Sequence, residues 1–160
     1  MKDKLLSKQG WVILLICIIS FFINNRVVVP DIMEARNMVT AREMVHDGNW
    51  LVPTMNGDLR LEKPPLPTWL TAVAEMISPD NLALQRAMAG FAAILLVAFF
   101  YLTAVQVMRN KRYAFISTIL LCTCYNIILM GRTASWDIYC HAFMMGAIYF
   151  LIRAFAAKAC

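Results

Sequence analysis

Charge is what this chain has least of. Of its 160 residues 16% are charged and 61% are hydrophobic, whereas a soluble domain carries about a quarter charged and close to half apolar residues. The deficit argues against an ordinary soluble domain and makes an integral membrane protein the leading class. Acid is scarcer still outside one segment: eight of the ten acidic residues lie between Pro30 and Leu82. Cysteine occurs five times without forming a framework, because Cys17, Cys122, Cys124 and Cys140 lie in or beside apolar runs and Cys160 is terminal. Cys122 and Cys124 are two apart and point in different directions on a helix, so no convergent metal-ligand set is evident. They read as packed or lipid-facing thiols. The first apolar run lacks the small-residue cleavage site of a secretory signal; the chain reads FFINNRVVVPD there, which favours an uncleaved anchor. No internal repeat, low-complexity tract or free-standing soluble domain is visible.

What is present is a set of apolar runs separated by basic clusters. The net charge is +5, but its placement argues against a nucleic-acid partner. Lys2, Lys4 and Lys8 precede the first run, Arg109, Lys111 and Arg112 separate two runs, and Arg153 and Lys158 close the last. That is the positive-inside pattern. At about 1.5 Å per residue and a hydrocarbon core of roughly 30 Å, the runs can cross a bilayer. The expectation is an all-α integral membrane fold with about four transmembrane helices, near 9–29, 87–108, 113–131 and 136–156. Both termini then face the cytoplasm, and residues 30–82 form an extracytoplasmic loop carrying amphipathic interfacial helices. Arg26 is expected to snorkel to the outer interface.

The loop holds the chemistry. Asp31 and Glu34 have the spacing of a capping box, and Gly48 suits the C′ position of a helix ending near Asp47. On that helix Arg36, Thr40, Glu43 and Asp47 share one face, while Glu34 lies with Met38, Ala41 and Val45 on the apolar one. A carboxylate on an apolar face is costly unless it is paired or functional. Arg42 reads as salt-bridge decoration. Asn56 and Gly57 mark a turn between two short extended pieces, and Trp50 and Trp69 suit the water–lipid boundary. Lys63 precedes Pro64 and Pro65, which stiffen the chain; it reads either as a snorkelling lysine or as a contact for lipid phosphate.

Several strings in this loop carry a resemblance. They are Glu34-Ala35-Arg36, Arg42-Glu43-Met44, GNWLVP at 48–53, and Asn56-Gly57 followed by LEKPP at 61–65, continuing more weakly through Arg86 and GRTASWD at 131–137. Together they resemble the N-terminal region of the family 39 glycosyltransferases, multi-span enzymes of the GT-C class. That family includes bacterial aminoarabinose transferases and dolichyl-phosphate-mannose protein mannosyltransferases.

The resemblance implies transfer of a sugar from a polyprenyl-phosphate donor to a lipid, glycan or protein acceptor at the outer face of a bacterial inner membrane. It also implies roles. Glu34 is favoured as base or acceptor-orienting carboxylate, with Asp31 second, because Met33 stands where the family places an aspartate. Arg36 and Lys63 match positions that contact donor phosphate, Glu62 one that helps ligate a divalent metal in some members, and Asp137 a second acidic position. Family members continue with many more helices, so the chain is expected to represent the N-terminal part of a GT-C fold. The rival reading is a non-catalytic subunit that binds lipid phosphate with the same residues. A transporter is disfavoured because ionisable residues are missing from the spans apart from His141 near one end.

Overall fold

The computed structural model describes residues 8–158. Lys2, Lys4 and Cys160, which entered the topology and cysteine arguments, lie outside the described residues. The described chain runs α1 (Lys8–Phe22), α2 (Ile32–Asp47), β1 (Thr54–Met55), β2 (Asp58–Leu59), α3 (Pro65–Ile77), α4 (Leu82–Met108), α5 (Lys111–Cys122), α6 (Tyr125–Gly131) and α7 (Asp137–Lys158).

Two helices, α4 and α7, are long and apolar enough to cross a membrane. A third crossing exists if α5 and α6, bent by 65° at their junction, count as one span. The run over 113–131 was expected to be continuous. It breaks instead at Thr123 and Cys124, whose hydroxyl and amide hydrogen-bond back to Ile119 and Leu121 carbonyls. The first run differs as well. Helix α1 has 15 residues and stops at Phe22, and Asn24 then takes a left-handed φ of 56°. That conformation suits asparagine and ends helices, so residues 23–29 form the link to α2 rather than the end of a span.

Helix α4 is the hub of the apolar core. Its Ala89, Ala93, Leu96 and Val97 pack with Ile13, Cys17 and Phe21 of α1, Cys122 of α5, and Ile138 and Ala142 of α7. Small residues allow this proximity. A Cβ on Gly131 would lie 2.7 Å from the Phe21 ring, and one on Gly90 2.9 Å from the Phe22 ring. Helix α7 leaves Phe143, Met144, Phe150, Leu151 and Phe155 exposed.

The loop folds as the local signals require. Asp31 caps α2 by accepting from the Glu34 amide at 2.7 Å, and Gly48 closes it at φ 74°. Asn56 and Gly57, at φ 55° and 82°, turn the antiparallel hairpin that pairs Thr54 with Leu59 and Met55 with Asp58, the double left-handed geometry of a tight hairpin. Glu43 holds that turn, accepting from the Thr54 hydroxyl at 2.7 Å and the Asn56 amide at 2.5 Å. Helix α3 opens with proline, as the first turn tolerates.

Candidate functional site

The loop is fastened to the membrane helices by buried polar groups. Glu34 is 0% and Arg86 1% exposed. Arg86 Nε donates to Glu34 Oε1 and Arg86 Nη2 to Oε2, each at 2.7 Å. Glu34 Oε1 also accepts the Ala134 amide at 2.8 Å, and Arg86 Nη1 donates to the Asn25 carbonyl. One ion pair therefore joins α2, α4, the α1–α2 link and the α6–α7 loop. Asn37, one turn along, repeats the pattern: its Nδ2 donates to the Ala134 carbonyl at 2.7 Å and to Thr71 Oγ1 at 3.0 Å, and its Oδ1 accepts from Thr68 at 2.8 Å.

This geometry changes the reading of Glu34. A base must reach the proton it abstracts, and both Glu34 oxygens are engaged in a site closed to solvent. The side chain that sequence placed on the apolar face is there because it is paired, and its partner is Arg86, which the sequence reading names only in the weaker continuation of the family resemblance. Asp31 is exposed, with one oxygen on the Glu34 amide. Asp137 is exposed in the first turn of α7, and its carbonyl takes a hydrogen bond from His141 Nδ1 at 2.7 Å.

Cations gather on a different surface. Arg36, exposed, lines a cavity of about 180 Å³ with Asp58, Arg60 and Glu62. Arg60 is 6% exposed, and its Nη1 donates to the Arg36 carbonyl at 2.6 Å and to Thr40 Oγ1 at 2.8 Å. Burial holds the Arg60 guanidinium below its ordinary pKa; Glu62 opposes that shift and Arg36 adds to it. Arg60 also stands 5.0 Å from the centre of the Trp136 ring, and Lys63 Nζ 5.5 Å from it, within cation–π range. Trp136 thus brings the head of α7 to the Lys63 turn. Sequence reading missed Arg60 and Trp136. Arg60 follows a hairpin and looks like surface charge; only its burial against α2 sets it apart.

Among the described residues no three histidine, cysteine or acidic side chains converge on a point that could hold an ion. Glu62 and Asp58 share their cavity with Arg36 and Arg60. Arg42, as expected, is paired, with Asp80 and with Glu75 at 3.8 Å.

Comparison with known proteins agrees with this architecture. Residues 10–159 match the family model described as dolichyl-phosphate-mannose-protein mannosyltransferase. An undecaprenyl phosphate-alpha-4-amino-4-deoxy-L-arabinose arabinosyl transferase of Pseudomonas savastanoi pv. phaseolicola is 34% identical over 58% of this chain and 17% of its own length. The transferase of the same description from Shewanella sediminis is 31% identical over 68% of this chain and 19% of its own. An uncharacterized protein of Aquifex aeolicus is 26% identical over 96% of this chain and 31% of its own. The fold matches the crystal structure of ArnT from Cupriavidus metallidurans bound to undecaprenyl phosphate, with a TM-score of 0.74 and 20% identity over 91% of this chain and 27% of that one. The chain therefore spans between 17% and 31% of the length of these relatives. With the family model matched across nearly its whole length, the chain belongs to the dolichyl-phosphate-mannose-protein mannosyltransferase family.

Proposed function

We propose that this chain supplies the donor-phosphate and acceptor-facing surface of a glycosyltransferase that takes its sugar from a polyprenyl phosphate at the extracytoplasmic face of a bacterial inner membrane. The observation that carries this reading is the placement of Arg60 and Lys63 over Trp136 at the head of an apolar helix, with Arg36 in the cavity that Arg60 also lines. Relatives of this chain are named for undecaprenyl-phosphate-linked aminoarabinose transfer, which supports a polyprenyl donor.

The chemistry asks little of the protein beyond charge and position. The bond between the anomeric carbon and the phosphate oxygen breaks, and the hydroxyl oxygen of a lipid, glycan or protein acceptor forms the new bond. The departing phosphate gathers negative charge, which guanidinium and ammonium donors stabilise. Arg36 and Lys63 are assigned that task. The hydroxyl proton needs a carboxylate within reach. Asp31 is assigned as that base because it keeps an oxygen open to solvent, with Asp137 as the second acidic group. Glu34 becomes a positioning residue, fixing the helix that presents Asp31 and Arg36.

The test is binding of undecaprenyl phosphate to the chain in phosphatidylcholine nanodiscs. Arg36→Ala with Lys63→Ala should weaken it by roughly tenfold or more, the worth of a lost charge-assisted contact. Unchanged affinity in the double variant would remove the assignment.

A further inference from the structure

A second cavity, of about 280 Å³, lies between the α1–α2 link and helix α6, and shares none of its lining with the Arg36–Glu62 cavity. Its walls are Val27, Val28, Ile128 and Leu129, and its polar end holds Asn25 and Arg132. Three observations define what it would accept. Val27 and Val28 are more than half exposed, at 75% and 52%, beside the apolar helices that cross the membrane. Asn25 is 5% exposed, yet its Oδ1 has no hydrogen-bond partner, unlike nearly all buried polar atoms. Arg132 donates one N–H to the Ile23 carbonyl and has no ion-pair partner among the described residues.

We propose that this cavity binds an anionic phospholipid whose head group carries a hydroxyl, of the phosphatidylglycerol type. The phosphodiester meets Arg132, one negative charge for one unpaired positive charge. The head-group hydroxyl donates to Asn25 Oδ1, and the acyl chains cover the two valines and Leu129. Arg86 is neutralised by Glu34, so Arg132 sets the charge requirement. The inference does not rest on the sugar-transfer reading. An occupied site would brace the Asn25 end of the Glu34–Arg86 anchor.

The experiment is native mass spectrometry of the full chain released from nanodiscs, comparing three dioleoyl lipids. Phosphatidylglycerol has both a net negative charge and a hydroxyl, phosphatidylmethanol has the net charge alone, and phosphatidylcholine, whose ammonium balances its phosphodiester, has neither. The expected order of retention is glycerol over methanol over choline, each step several-fold. Asn25→Ala should erase the first step and Arg132→Gln the second, with helicity by circular dichroism unchanged. If Asn25→Ala does not fold, Arg132→Gln alone decides. Its retention of the methanol-over-choline step would overturn the proposal, as would equal retention of all three lipids by the unmodified chain. Displacement of phosphatidylglycerol by undecaprenyl phosphate would assign the cavity to the donor lipid instead.

Discussion

Two sets of charges meet at the same loop and behave in opposite ways. Glu34 and Arg86 are sealed from solvent and bonded to each other and to two backbone segments, at Asn25 and Ala134. Arg36, Glu62 and Lys63, a few residues away in sequence or space, are exposed along a cavity and an aromatic face. The first set holds the loop against the helices; the second leaves its charge available for a ligand. A charge that is already satisfied is a poor reagent, and a charge that is free is a poor fastener.

The sharpest way to break that contrast is to remove one partner of the buried pair. Glu34→Gln should destabilise the chain by about 3–5 kcal/mol, because Arg86 keeps a buried charge without its counterion. Thermal unfolding in micelles reads this, and Glu34→Met combined with Arg86→Met should recover most of the loss. A Glu34→Gln chain as stable as the parent would put Glu34 back among the reactive groups. Asn37→Ala comes next. It orphans the Thr68 hydroxyl and the Ala134 carbonyl, for an expected loss of about 1–3 kcal/mol in the same measurement. On the exposed side, Lys63→Ala should shift stability by no more than about 0.5 kcal/mol, so a large fall would show that its contact with Trp136 is structural. The smallest effect belongs to His46. Its hydrogen bond to Asp47 raises the imidazole pKa above the ordinary 6.5. The resulting stabilisation is complete below that ordinary value and fades as pH rises through the folded-state value. His46→Gln should abolish this slight slope in the unfolding midpoint between mildly acidic and mildly alkaline pH.

Much of the architecture is legible in the residues. The cap at Asp31, the stop at Gly48, the hairpin at Asn56-Gly57 and the long apolar helix over 87–108 each follow from local chemistry, although that helix begins earlier, at Leu82. The helix ends inside apolar runs were not legible. Residues 23–29 and 123–124 carry no proline or glycine to mark a stop. The first turns on the left-handed φ of Asn24, and the second on hydrogen bonds from Thr123 and Cys124 back to α5. The site was legible as a composition of charges, and its division of labour was not. Arg60 and Trp136 lie far apart in the chain, and nothing in either neighbourhood announces that they meet.

The sequence by itself determined that apolar helices would carry a charged loop, because hydrophobic runs and turn residues act over a few neighbours. Only the tertiary structure decided which of the loop's charges are fastened and which are free. Burial and pairing depend on atoms brought together from distant parts of the chain: Glu34 meets Arg86 across 52 residues, and that meeting sets what each can do.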